Sequence, residues 1–182
     1  MPVLRRSSGP PNVDRFKALS EELTRELKSP KEFGQPIVDE ETFPRTGLKG
    51  VTVIWERWGG LTDPERTGVI LEAYEQAYGA KEKERVAFAV GLTVPEATEV
   101  GKLPYTIMPS LRRTDAISQE QVRRAVKDMG GEILENSDFP AVLRFATLAD
   151  AEACRRKLIE RLPDTDAIWN IAQEQQRPSW AQ

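Results

Sequence analysis

The chain has 182 residues, 39% of them hydrophobic and 30% charged, with a formal net charge of −3. That length fits one large or two small domains, each able to bury a core, and neither half is net basic, which excludes bulk electrostatic attraction to nucleic acid. There is no histidine and a single cysteine, Cys154, which excludes histidine-based triads, histidine general bases, an internal disulfide and most zinc or non-haem iron sites.

Residues 1–12 read as a polar, disordered arm with no apolar segment of a secretory signal. No apolar run approaches the roughly 18–20 residues that span a bilayer. Together with the lone cysteine, this predicts a cytoplasmic protein without a membrane partner. Asp14 to Lys28 is a predicted helix, with Phe16, Leu19, Leu23 and Leu27 in one apolar stripe, ended by Ser29-Pro30. A short strand is expected around Ile37-Val38. The acidic trio Asp39, Glu40 and Glu41 and a loop through Pro44, Gly47 and Gly50 follow.

The stretch from Val51 to Gly79 organises the chain. Val51 to Glu56 alternates, with Val51, Val53 and Trp55 on one face and Thr52, Ile54 and Glu56 on the other; apolar groups on both faces predict an inner strand. After Gly59-Gly60, Thr62-x-x-Glu65 is a capping box with Pro64 in the first turn. Val69, Ile70, Ala73, Tyr74 and Ala77 then share a helical stripe, and Gly79 is the expected stop.

Lys81 to Glu84 reads as a charged connector. Arg85 to Thr93 reads as a strand in which Val86, Phe88 and Val90 alternate with Ala87, Ala89 and Gly91. A short capped helix runs from Thr93 to Gly101, and Leu103 to Leu111 is a strand whose prolines place it at an edge or a strand end. A helix opening at Ser118 carries Val122, Ala125, Val126 and Met129. Short strands are expected at Glu132 to Glu135 and Ala141 to Ala146, with a turn over Asn136 to Pro140 between them. The last helix, from Leu148, places Leu148, Ala151, Cys154, Leu158 and Leu162 on one face, and Ala167 to Gln173 closes the pattern. From Tyr105 onward the order is β-α-β-β-α-β, the split βαβ arrangement. The expectation is therefore an α+β protein of two small mixed-sheet domains, 13–102 and 103–174, with a flexible tail at 175–182.

Two stretches carry family patterns. In residues 14–93 a strand ending in Trp58 and Gly60, then Arg66, Ile70, a long helix and an alternating strand resemble the BolA-type, KH-like fold. That resemblance implies a partner-binding or nucleic-acid-binding role. The family's usual histidine after the arginine is Thr67 here, so iron–sulfur partnering with glutaredoxins is not implied. In residues 104–173, AVLRFATLADAEACRRKL is similar to the third strand and following helix of RNA-recognition motifs. Such domains stack bases on sheet aromatics. Of the matching positions Phe145 keeps an aromatic, two others fall on Pro140 and Val142, and Tyr105 stands on the first strand.

The candidate sites follow from residue chemistry. Trp55 and Trp58 beside Gly59-Gly60, with Arg66, suit a partner-binding corner, the alternative being that both tryptophans pack in the core. Arg112, Arg113, Arg123, Arg124, Lys127, Arg155 and Arg156, with Lys157, suit a phosphate-binding patch if they converge, the alternative being solvated helix faces. Asp39, Glu40, Glu41 and Glu56 have no spacing diagnostic of acid–base work or a Mg²⁺ site. Cys154 sits on an apolar helix face and reads as a buried small hydrophobe. The leading expectation is a non-enzymatic binding or adaptor protein acting on a protein partner or its own copy, without cofactor or metal. RNA or DNA binding through the arginines is the alternative, and a carboxylate–metal enzyme is the weaker one.

Overall fold

The computed structural model describes residues 13–111, 116–134 and 141–173. The fold is α+β, with two sheets in two compact units. Of the described residues, the first unit comprises 13–31 and 36–93. The second comprises the described residues from 94 to 173 together with Glu32–Gln35, so contacts divide the chain at Thr93 and Val94, ahead of the 102/103 boundary that the sequence suggests.

In the first unit the elements run α1 (Val13–Lys28), β1 (Ile37–Thr42), β2 (Lys49–Ile54), a 3-10 turn (Glu56–Trp58), α2 (Asp63–Tyr78), α3 (Ala80–Glu84) and β3 (Val86–Leu92). The sheet order is β1-β2-β3, with β1 antiparallel and β3 parallel to β2. As expected for an inner strand, β2 is buried almost throughout. Val51, Val53 and Ala89 face Leu19 and Leu23 of α1 and Val69, Ile70, Ala73 and Tyr74 of α2. The α2 cap forms as its sequence predicts: the Glu65 carboxylate accepts from the Thr62 N–H at 2.7 Å and its hydroxyl at 2.8 Å. The charged connector after Gly79 is itself a helical turn, α3. Gly79, at φ 89°, lets the chain break α2 and start again at once.

In the second unit the elements are α4 (Val94–Glu99), β4 (Tyr105–Leu111), α5 (Ala116–Asp128), β5 (Glu132–Ile133), β6 (Ala141–Phe145), α6 (Leu148–Arg161) and β7 (Ala167–Gln173). The strand order is β5-β6-β4-β7, with antiparallel neighbours. The prolines of β4 do not put it at an edge, because it lies between β6 and β7. Val122, Ala125 and Val126 of α5 and Ala151, Cys154 and Leu158 of α6 meet Ile107, Leu143, Phe145 and Trp169 in one core. Leu148, expected on that apolar face, is 45% exposed: it is the first residue after the Thr147 cap and lies beyond the sheet-facing stripe. No described helix is long and apolar enough to cross a membrane.

The short segment Glu32–Gln35 is a strap in this unit. Phe33 packs edge-on against Phe145, ring centroids 6.5 Å apart, and the Lys157 ammonium sits 5.1 Å over the Phe33 ring while pairing with Glu32. A Cβ on Gly130 (φ 78°) would lie 2.6 Å from the Gly34 Cα, so two glycines let the backbones touch.

Candidate interaction surface

The predicted Trp55–Trp58–Arg66 corner is interior, which corrects its assignment as a partner surface. Trp58 is 0% exposed, Trp55 3% and Arg66 6%. The Trp58 indole N–H donates to the Val53 carbonyl at 2.9 Å, and its ring meets Trp55 edge-on at 5.2 Å. The Arg57 guanidinium lies 5.3 Å over Trp55 and pairs with Glu22, while Arg15 donates to the Gly59 carbonyl at 2.6 Å. The physical reason is room: β3 presents Gly91 here, and a Cβ at that position would meet the Arg66 Cβ at 2.8 Å and the Trp58 ring at 3.2 Å. A large aromatic and an arginine stem fill the space that the glycine leaves.

Arg66 and its neighbour Thr67 also close the free edge of the sheet. The Leu92 carbonyl accepts from the Trp55 N–H at 2.8 Å, so even-numbered carbonyls at this end of β3 turn toward β2. Strand alternation turns the Ala89 and Gly91 carbonyls outward. Thr67 Oγ1 donates to Ala89 at 2.9 Å and Arg66 Nη1 to Gly91 at 3.0 Å. An unpaired row of backbone acceptors would otherwise invite strand addition.

On the sheet face opposite α1 and α2, Thr52 and Ile54 of β2 are buried, and the exposed large apolar groups are those of β3. The rows of this face follow from the register: Asp39–Thr52–Val90 and Glu41–Gly50–Phe88. Phe88 is 46% exposed and Val90 39%. The Phe88 ring lies across Gly50, where any Cβ would overlap it, and meets Phe43 at 5.8 Å. Exposed Asp39 and Glu41 stand at the other margin, about 10 Å away across two strand spacings. The β3 pattern contained this signal: Ala87, Ala89 and Gly91 form its small row, and a row that small belongs under a close-packed helix, leaving Phe88 and Val90 outside.

The acidic trio is divided by the strand pleat, as a metal site would not be. Glu40 alone points toward α2, where it accepts from the buried Tyr74 hydroxyl and pairs with Lys49 at 3.5 Å. Burial, then this hydrogen bond to a carboxylate, pushes the Tyr74 phenol far above its ordinary range. Burial works to lower the Lys49 pKa, but its bonds and charge pairing with Glu82, at 3.3 Å, and Glu40 outweigh that and raise it. Glu82 is held below the usual carboxylate range by hydrogen bonds from Arg85 and Lys49. Among the described residues no group of three carboxylate or thiol side chains is placed to hold a metal ion.

In the second unit Arg123, Arg124 and Lys127 stand on the exposed flank of α5, and Arg156 is exposed on α6. Arg155 is half-buried, Lys157 is engaged by Glu32 and Phe33, and Arg161 pairs with Asp128 at 2.5 Å. Arg112, Arg113 and Pro140 lie outside the described residues. Phe145 and Tyr105 share the sheet face that carries Ile107 and Leu143, beneath the helices, so neither is placed to stack a base. The opposite face holds Met108, Val142, Arg144, Ile168 and Asn170 and carries no aromatic among the described residues. Cys154 is buried with its Sγ 3.5 Å from the Met129 Sδ, and burial pushes its thiol up to about 11, which keeps it unreactive.

Comparison of the chain with protein-family models, curated proteins and solved structures finds no match.

Proposed function

We propose that the chain is a non-enzymatic protein-binding module whose recognition surface is the exposed β3 margin of the outer face of the first sheet. The supporting observation is the pair Phe88 and Val90, two large apolar side chains two residues apart on one strand, about half and two-fifths exposed, with the Phe88 ring beside Phe43. Aromatic and apolar groups of this kind form the centre of protein interfaces, with charged groups at the rim. The occupant we assign is a second copy of the chain. A two-fold axis beside β3 sets Phe88 and Val90 against their counterparts and leaves Asp39 and Glu41 of both copies at opposite rims, where like charges stay apart in water. The patch is small, so the association is weak and concentration-dependent.

We also read the first unit as a BolA-type, KH-like fold and the second as ferredoxin-like. Supporting the first is the order α-β-β-α-α-β with a middle strand antiparallel to one neighbour and parallel to the other. Supporting the second is β-α-β-β-α-β with order β5-β6-β4-β7. Thr67 stands where the BolA pattern has histidine, and its hydroxyl is committed to the Ala89 carbonyl.

Sedimentation velocity over a wide concentration range tests the function. The mass should rise above the 20.5 kDa monomer with concentration, and the Phe88→Ser, Val90→Ser double variant should stay monomeric with an unchanged circular dichroism spectrum. A wild type that is monomeric throughout overturns self-association; a variant that associates as the wild type does overturns the assigned face.

A further inference from the structure

The flank of α5 has no place in that reading. Arg123 and Lys127 are four residues apart and Arg124 and Lys127 three apart, so the three cations form one cluster within a helical turn. Like charges at this spacing repel and cost helix stability. Several cations elsewhere are matched: Lys49 with Glu40 and Glu82, Arg57 with Glu22, Lys83 with Glu75, Lys157 with Glu32 and Arg161 with Asp128; others, such as Lys28 and Lys81, stand singly on the surface, and what sets the α5 flank apart is three cations within one turn. Among the described residues no ion pair engages Arg123, Arg124 or Lys127. The one carboxylate in the last turn of α5, Asp128, is taken by Arg161.

We propose that this flank binds the phosphate backbone of nucleic acid, without reading bases. One observation selects phosphate over an acidic protein segment. The exposed positions of α5, from Glu120 to Asp128, are all polar or charged, so the flank lacks the apolar centre that a protein interface uses. Arginine forks match phosphate and carboxylate oxygens alike, and contacts to a phosphate backbone need neither a pocket nor a fixed register. Base-blindness follows from the second sheet: Tyr105 and Phe145 are on its helix-covered face, leaving no aromatic among the described residues of the other face to stack on. The Phe88 surface belongs to the other unit.

The test uses the full chain and fluorescence anisotropy with two labelled duplex DNAs of unrelated sequence, at about 50 and 200 mM monovalent salt, the range over which phosphate contacts weaken measurably. Three phosphate contacts give a slope of log K on log salt of about −2.7, so affinity should fall about 40-fold between those concentrations, equally for both sequences. The Arg123→Gln, Arg124→Gln, Lys127→Gln variant, which keeps helix propensity and side-chain length, should lose binding at the lower salt while its circular dichroism and melting temperature hold. No binding of the wild type at the lower salt, or undiminished binding by the triple variant, overturns the proposal. A labelled polyglutamate that binds as tightly as DNA overturns it in favour of an acidic protein partner.

Discussion

Arg66 Nη1 lies 3.0 Å from the carbonyl oxygen of Gly91, and this bond ties α2 to the free edge of β3. The two residues need each other. Gly91 leaves room for the arginine stem, and the arginine covers a carbonyl that would otherwise be left without a partner at the sheet edge. Gly91→Ala should therefore destabilise the protein by roughly 1–3 kcal/mol, the usual cost of overpacking. The check is the urea midpoint with an unchanged slope; no shift would mean that the Arg66 stem and the Trp58 ring move aside freely.

Removing the cover rather than the room should have a different consequence. Arg66→Met with Thr67→Val leaves the outward carbonyls of Ala89 and Gly91 without their side-chain donors. An uncovered edge recruits further strands. Concentration-dependent association with increased β signal and thioflavin binding is expected, and it should persist when Phe88→Ser is added, which separates edge pairing from association through the outer face.

Trp58→Ala should cost about 3–5 kcal/mol, as for other fully buried large aromatics, because it also removes the hydrogen bond to the Val53 carbonyl and the edge-on contact with Trp55. Trp58→Phe should recover part of the loss. Thermal melts of both variants check this, and a Trp58→Ala variant as stable as the wild type would return the residue to the surface.

The Tyr74–Glu40 bond predicts the alkaline limb of stability. The folded state raises the Tyr74 pKa above its ordinary value of 10.0, so it holds a proton that the unfolded chain releases. Its contribution is complete below about pH 10 and is lost as pH rises beyond that. Tyr74→Phe should lower stability at pH 8 and flatten the decline between about pH 9.5 and 11. Glu65 has the opposite sign. The backbone and hydroxyl bonds from Thr62 depress its pKa, so its contribution holds above the ordinary carboxylate pKa and fades as pH falls through it; Glu65→Gln should flatten the acid limb. Chemical denaturation across pH reads both limbs.

Much of this molecule was legible in the chain. The alternation of Val51, Val53 and Trp55 against Thr52 and Ile54 marked an inner strand, and β2 is one. The Thr62–Glu65 box and the 3.6-residue stripe from Val69 to Tyr74 marked α2 and its buried side. Two sheets in two α+β units follow from such local periodicities, because a period tells which side of an element must be covered. The cover itself is not local. Whether Trp58 is a surface anchor or core depended on Gly91, 33 positions on, leaving space above it. Whether Asp39, Glu40 and Glu41 act together depended on the pleat, which sends Glu40 to Tyr74 and its neighbours the other way. That Glu32–Gln35 would join the second unit depended on Gly34 meeting Gly130. Sequence alone determined the elements, their apolar sides and the absence of histidine chemistry, since these are properties of a residue and its near neighbours. Tertiary structure alone decided which aromatics and cations remain exposed, since burial is set by close packing between segments far apart in the chain, and a single missing Cβ at Gly50 or Gly91 redirects it.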